Sequence, residues 1–157
     1  MTKKRRQPVS SITKQVEIMQ AAVQGVTAPA HIPLTAEDEP FWQNIIAEKP
    51  KAEWTAHDLE IAAMLAQSLR KLRDEELLLD AEGSVVKEEG RNPTANPRLR
   101  IVADLHARAM KYRQTLGIHN RAKEGEARDV RKRREQAFEV ESNNPLDDDL
   151  IARPTYQ

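Results

Sequence analysis

The stretch AEGSVVKEEGRNPTANPRLR, residues 81–100, decides the fold because it separates two long runs of helical pattern. Its glycines and Asn-Pro pairs end helices and favour turns. Because a short connection joins two helices of similar length, we expect an antiparallel helical hairpin. The apolar pair Val85-Val86 is unexpected in a plain linker, and a strand there would need partners that the rest of the chain does not supply. The pair therefore packs across the hairpin tip or pairs with a neighbouring subunit, and the residues alone favour neither.

The longer predicted helix precedes this connection and covers residues 56–82. Thr55 and Asp58 form a capping-box-like pair at its start, with Asp in place of the usual Glu or Gln. Apolar residues recur at spacings of three and four over several turns, so one face of this helix must be buried. Gly83 is expected to end it.

The second long helix follows the connection. Asn96 is its expected N-cap, because an Asn side chain accepts a hydrogen bond from a free first-turn amide. Pro97 is its expected first residue, since proline lacks the amide that would be unpaired there. Its apolar stripe runs at helical spacing from Leu99, and Gly117 is expected to end it in the left-handed conformation.

Shorter elements flank this all-α core. An amphipathic helix carries Ile12, Val16, Met19 and Val23 at spacings of four, three and four. After the second long helix the apolar stripe is thin, which predicts mobility or folding on binding. We expect five segments: a flexible, disordered basic arm (1–9), an N-terminal helix with its linker (10–36) and a helical oligomerisation core (37–118). A basic helical or mobile segment (119–141) and a disordered acidic tail (142–157) follow.

The composition limits the size of the hydrophobic core. Hydrophobic residues make up 39% and aromatic residues 4% of the 157 residues, while charged residues reach 32%. Such a chain is expected to be elongated, or to complete its apolar burial against further copies. The absence of cysteine excludes disulfides and thiolate metal sites and suits the reducing cytosol. No apolar run approaches the roughly 18 residues that a membrane span needs.

The charge pattern is more informative than the formal net charge of zero. Four consecutive basic residues begin near the N-terminus, and a second basic region precedes an acidic tail. Two basic clusters beside a helical core favour contact with the phosphates of nucleic acid, whereas one cluster alone would be interpreted as solvated charge. The clusters comprise Lys3, Lys4, Arg5, Arg6, Arg121, Lys123, Arg128, Arg131, Lys132, Arg133 and Arg134.

Signatures of catalysis are missing from the sequence. It has no phosphate-binding loop, no dinucleotide-binding glycine motif and no Gly-x-Ser-x-Gly motif. His57 with Glu60 offers at best a pair of metal ligands, and a polar first turn of a helix is the simpler interpretation. Phe41 and Trp42 are able to stack on a base, but an aromatic pair on an amphipathic helix is more often core. We therefore expect no enzymatic activity, cofactor or metal.

Three segments resemble the small terminase subunits of tailed bacteriophages, in particular those of lambdoid siphophages. They are EPFWQNIIAEKPKAEWTAHDLEIAAMLA (39–66), GSVVKEEGRNPTANPRLRIVADL (83–105) and LGIHNRAKEGEARDVRKR (116–133). The likeness covers most of residues 37–134. It consists of element order and short motifs rather than a catalytic signature.

The resemblance implies a non-enzymatic DNA-packaging adaptor in the host cytoplasm. Small terminases bind double-stranded viral DNA at the packaging start, and they recruit and regulate the large terminase subunit. They form rings of about eight to twelve subunits, with about nine the commonest number in the nearest group. The helical hairpin is the ring-building unit, which implies a subunit interface formed by Leu59, Ala62, Ala66, Leu69, Leu72, Val85, Val86, Leu99, Val102, Leu105 and Tyr112.

The sequence departs from the family pattern near its N-terminus. Many small terminases carry a helix-turn-helix there, whereas this chain shows one short amphipathic helix after the basic arm. DNA contact is therefore expected from the arm, from the basic region of residues 121–134, or from ring-lining residues such as Arg98 and Arg100. The tail NNPLDDDLIARPTYQ is expected to dock the large subunit, or else only to improve solubility. Its apolar docking residues are Leu146, Leu150 and Ile151.

A small dimeric DNA-binding transcriptional regulator is the alternative function. Such a protein would carry a compact recognition helix with base-reading side chains. The sequence shows no such helix, so the packaging function is favoured.

Overall fold

The protein is mainly helical, as the sequence predicts. A computed structural model describes residues 8–86, 92–118 and 127–144. In chain order the elements are α1 (Ile12–Gln24), α2 (Glu39–Ile46), a 3-10 helix (Lys51–Glu53), α3 (Ala56–Glu82), β1 (Val85–Val86), β2 (Thr94–Ala95), α4 (Arg98–Leu116) and α5 (Ala127–Ser142).

The start and end of α3 follow from local hydrogen bonding. The Thr55 hydroxyl accepts from the Asp58 amide at 3.1 Å, and the Asp58 carboxylate accepts from the Thr55 amide at 3.5 Å. This reciprocal arrangement is the predicted capping box. At the other end Gly83 adopts a φ of 82°, a conformation that costs glycine little because it has no Cβ.

Helices α3 and α4 lie side by side and run in opposite directions. Arg98, at the start of α4, pairs with Glu82, at the end of α3, at 2.8 Å. Further along, His106 of α4 contacts Glu76 of α3 at 2.9 Å. The two short strands between the helices also pair antiparallel.

The hydrophobic core lies where α3 meets α4 and α2. Three α3 alanines are fully buried there, and their small side chains let the neighbouring helices approach closely. Leu65 is also fully buried, and burial of such a side chain contributes about 1.5–3 kcal/mol. The buried residues of this cluster are Trp42, Ile45, Ile61, Ala62, Ala63, Leu65, Ala66, Ala109 and Leu116.

Asp38 ties the chain before α2 to α3. Its carboxylate accepts from the Thr35 amide at 2.9 Å, from the Thr35 hydroxyl at 2.7 Å and from Arg70 Nε at 2.8 Å. Burial raises the pKa of Asp38, but the hydrogen bonds from Thr35 and Arg70 outweigh it and the pKa lies below its usual value. The buried charge is therefore compensated on each side.

The connection between α3 and α4 contains its own strand partner. Val85 pairs with Ala95 and Val86 with Thr94. The expectation that a strand here would lack a partner in the chain is therefore wrong, because residues inside the same connection supply it. Helix α4 begins one residue later than expected, at Arg98.

Asn96 nevertheless contributes to capping α4. Its side-chain oxygen accepts from the Arg98 amide at 2.9 Å. Its side-chain nitrogen donates to Glu82 and to the Gly83 carbonyl, at 3.0 Å each. The same side chain thus caps α4 and fastens it to the end of α3.

Helix α5 packs against α1 and the 3-10 helix. Ala137 of α5 and Ile18 of α1 are buried, with 4% and 1% exposure. Glu141 accepts from the Lys51 amide at 2.6 Å, and Asn144 donates to the Met19 carbonyl at 3.0 Å. The thin apolar stripe predicts a segment that is helical or mobile, or that folds on binding; in the structure α5 is helical and contacts the rest of the chain largely through polar groups at its C-terminal end.

Replacing Leu65 by Ala should lower the free energy of unfolding by about 2–5 kcal/mol, because it deletes buried methyl groups and leaves a cavity. Urea denaturation measures the loss. The neighbouring Met64 is 39% exposed, so Met64→Ala is the matched control and should cost less than about 1 kcal/mol. Equal losses at the two positions would contradict the described core.

Candidate nucleic-acid interface

Most of the described arginines outside α4 are neutralised by carboxylates. Such pairing reduces the net charge that a side chain offers to a phosphate. The pairs are Arg70 with Asp38 and Asp74, Arg73 with Asp74, Arg131 with Glu135, and Arg134 with Glu53. These cations are therefore poor candidates for DNA contact.

Arg98, which is expected from the sequence to contact DNA, is also neutralised. Its guanidinium donates to Glu75 and Glu82 of α3. The hydrogen bonds from Arg98 and Asn96 lower the pKa of Glu82 to about 2. The two carboxylates in turn raise the pKa of Arg98. Arg98 lies here as a bridge between α3 and α4 rather than as a free cation.

The basic face of α4 is formed by Arg100, Arg108 and Lys111, whose side chains are exposed. Among the described residues, no carboxylate lies within ion-pair distance of any of the three. At about 100° per residue they fall within roughly 80° of one another around the helix, and the centre of this face lies about 100–140° away from the buried Leu105 and Ala109. This face therefore points away from α3.

Acidic residues cancel only part of this charge: Asp104 lies on the same face, four residues from both Arg100 and Arg108, so three cations and one carboxylate leave a net charge of +2. Asp104 is the one acidic residue of α4. Arg113, which is half-buried, adds a further cation without an ion pair in the described part of the chain. The described side chains thus concentrate their unneutralised positive charge on α4, in a form suited to a polyanion.

Sequence reasoning finds Arg100 but misses Arg108 and Lys111. They stand apart in the sequence and form no basic run, so a search for clusters passes over them. Arg108 follows Arg100 by eight residues and Lys111 follows Arg108 by three, and this spacing places the three on one face once the helix and its apolar stripe are assigned.

The basic run on α5 is only partly free. Lys132 is exposed, whereas Arg133 donates to the Asp129 carbonyl at 3.2 Å. The side chain of Arg128 lies outside the described residues. So do all atoms of the remaining candidates, Lys3, Lys4, Arg5, Arg6, Arg121, Lys123, Leu146, Leu150 and Ile151.

Several residues expected at a subunit interface lie inside the chain's own core. Ala62 and Ala66 are fully buried, and Leu72 and Leu105 are 6% and 7% exposed. These four side chains are buried within one subunit, where α3 and α4 cover each other, so they offer little surface to a second subunit. The other expected interface residues are half-buried (Leu59, Leu69, Val86, Val102 and Tyr112) or exposed (Val85 and Leu99).

Metal-ligating side chains do not converge in the described ranges: no group of three or more His, Cys, Asp or Glu there is arranged to hold an ion. His31 and His57 both approach Glu60, at 3.2 and 3.6 Å, and are exposed. Within the same ranges, no helix has the length and apolar character to cross a membrane.

Comparison with known proteins gives one consistent result. The sequence model of the Hendrixvirinae small terminase family matches residues 1–157. The chain is also 33% identical, over 167 aligned positions that cover 99% of both chains, to the protein named "Terminase, small subunit" of Enterobacteria phage HK97.

Replacing Glu82 by Gln should destabilise the protein at neutral pH, and the effect should fade as the pH falls. Folding lowers the pKa of Glu82 from 4.5 to about 2. Its charge therefore stabilises the fold above the unfolded pKa and loses this effect as the pH falls through the folded pKa. Urea denaturation from pH 7 down to about pH 2 tests this window.

Asp80→Asn is the matched control, since Asp80 is exposed on the same helix and has no ion pair among the described residues. It should change stability little across this range. A Glu82→Gln effect that is constant with pH would contradict the role given to the Arg98 bridge.

Proposed function

The chain belongs to the Hendrixvirinae small terminase family and so has the role of a phage terminase small subunit. From this premise we propose that it binds double-stranded viral DNA at the packaging start. In the same proposal it assembles as a ring and recruits and regulates the large terminase subunit. The observation that carries the DNA-binding part is the basic face of α4, whose three exposed cations have no ion pair among the described residues.

The basic face of α4 suits the phosphate backbone rather than base edges. Its first and last cations are 11 positions apart, or about 16 Å along the helix. Long flexible cations at such a spacing contact successive phosphates and release condensed counterions. Repetition around a ring multiplies weak contacts by avidity. The arm of residues 1–9 and Lys132 of α5 are the further cationic contacts of this proposal.

Exposed apolar side chains support assembly into a ring. Single exposed apolar residues are normal, but this chain exposes several large ones on its two longest helices and at the strand pair. They are Leu77, Leu78, Val85, Leu99, Ile101 and Met110. We propose a homo-oligomer of about eight to twelve subunits, with about nine favoured by the family resemblance.

The large terminase subunit is the proposed protein partner, and the tail residues Leu146, Leu150 and Ile151 are its proposed contacts. The small subunit would act as a non-catalytic adaptor in the host cytoplasm, without a cofactor. Family membership disfavours the alternative, a small dimeric transcriptional regulator.

Replacing Arg108 by Gln should weaken binding to double-stranded DNA. The slope of log affinity against log salt concentration should fall by about 0.9 for each phosphate that the variant no longer neutralises. Arg100→Gln and Lys111→Gln should act in the same way. Fluorescence anisotropy of a labelled duplex at several salt concentrations gives both the affinity and the slope.

Lys71→Gln is the control for the DNA experiment. Lys71 is exposed on α3 and has no ion pair in the described part of the chain, so the change removes the same charge from another surface. It should leave the slope unaltered. If Lys71→Gln acts like Arg108→Gln, or if only Lys132→Gln changes the slope, the basic face of α4 is not the DNA-binding surface.

Deleting residues 145–157 should abolish stimulation of the large subunit's ATPase and leave the number of subunits in the assembly unchanged. The deletion begins after Asn144 because that residue donates to the Met19 carbonyl and holds α5. Replacing Leu146, Leu150 and Ile151 by Asp should have the same effect. Replacing the intervening Asp147, Asp148 and Asp149 by Asn is the control, and stimulation retained after the deletion would defeat the docking proposal.

A further inference from the structure

Helix α1 has two separate apolar surfaces, and within the described part of the chain only one of them is used. Ile18 is buried at 1% exposure against the remainder of the subunit. Ile12, Val16 and Val23 are instead 78%, 45% and 38% exposed, and Met19 between them is partly exposed. We call these four residues the α1 stripe. Its centre lies about 130° around the helix from Ile18, so the contact with α5 does not cover it.

Helix α4 has a similar unused surface. Leu99 and Met110 are 38% and 45% exposed, and Ala103 and His106 between them are also exposed. These four residues form the α4 side face. It lies about 110° from the side chains that face α3 and about 125° from the centre of the basic face of α4. His106, at one edge of this face, pairs with Glu76 of α3 at 2.9 Å; among the described residues, Leu99, Ala103 and Met110 are used neither by the core nor by the proposed DNA contact.

The two surfaces have the same spacing. Along the α1 stripe the residues are separated by four, three and four positions, and along the α4 side face they are again separated by four, three and four. This is the spacing of a seam between two packed helices, in which side chains of one helix fit between those of the other. Each surface is about 16 Å long, so the lengths match from end to end.

The side chains are also complementary in size. The α1 stripe consists of Ile, Val and Met, whereas the α4 side face has the small Ala103 between its larger residues. A small residue on one helix leaves the hollow that a large residue on the other can fill. We propose that the α1 stripe of one subunit packs on the α4 side face of the next copy of this chain.

Such a contact joins two different surfaces of the same chain. It is therefore head-to-tail, and repetition produces a closed ring when the rotation between subunits allows it. This inference rests on the proposed ring and adds the surfaces that build it. The basic face of α4 lies on another side of the same helix, so each subunit contact would hold a DNA-binding surface in a fixed orientation.

Engineered cysteines test the contact directly, because the natural chain has none. Ala103→Cys is mixed under mild oxidation with either Val16→Cys or Met19→Cys. Val16 lies opposite Ala103 if the two helices are parallel, and Met19 lies opposite Ala103 if they are antiparallel. A disulfide needs Cβ atoms within about 4.5 Å. We expect a covalent pair between different subunits in one of these mixtures and a ladder of covalent oligomers when both cysteines are in one chain.

The controls use adjacent residues that point elsewhere. Glu17→Cys and Asp104→Cys each move the thiol about 100° around its helix and should not cross-link. In a second arm, Ala103→Glu should weaken assembly by at least about tenfold because it buries an unpaired carboxylate, whereas Asp104→Glu should assemble normally. Circular dichroism verifies that both variants are folded.

Native mass spectrometry of the unmodified protein separates the two levels of the proposal. A ring that gives neither the Val16 nor the Met19 cross-link overturns the α1–α4 contact and leaves the ring proposal intact. Cross-linking of Val16→Cys with itself alone also overturns the contact, since it indicates pairing of α1 with α1. A monomer at all protein concentrations overturns the ring itself.

Discussion

The close packing of α3 against α4 is the constraint on which the rest of the structure depends. Small buried alanines on α3 allow the helices to approach, and Leu65 and Leu116 fill the space beside them. Because α4 is one helix packed on one neighbour, only one side of it is buried. Its remaining surface is available for other contacts, and that surface carries both the basic face of α4 and the α4 side face.

One arginine of α4 forms ion pairs that hold the fold together, whereas others have no carboxylate partner among the described residues. Arg98 joins the start of α4 to the end of α3 through two carboxylates, and Asn96 supports the same junction. Two residues further along, Arg100 has no carboxylate partner in the described part of the chain. The acidic residues that neutralise Arg98 lie on α3, which Arg100 faces away from. A difference of two positions on one helix therefore separates a bridge within the fold from a candidate phosphate contact.

Polar contacts seat α5, whose apolar residues are too few to do so alone. Glu141 and Asn144 bond to backbone groups of the 3-10 helix and of α1, and Ala137 fills the contact between them. Burial raises the pKa of Glu141 despite the hydrogen bond from Lys51. The arrangement leaves the α1 stripe uncovered, because α5 occupies another side of α1.

The sequence by itself determined the helices, the capping box at Thr55, the glycine ends of α3 and α4 and the family, because these depend on neighbouring residues and on short motifs. Tertiary structure alone decided which apolar residues are internal and which cations are free. A helical period reveals that Ala66 and Leu99 lie on apolar stripes, but not which one a neighbouring helix covers. In the same way a basic residue looks alike in the sequence whether or not a distant carboxylate meets it, so Arg98 and Arg100 became distinguishable only when α3 was placed beside α4.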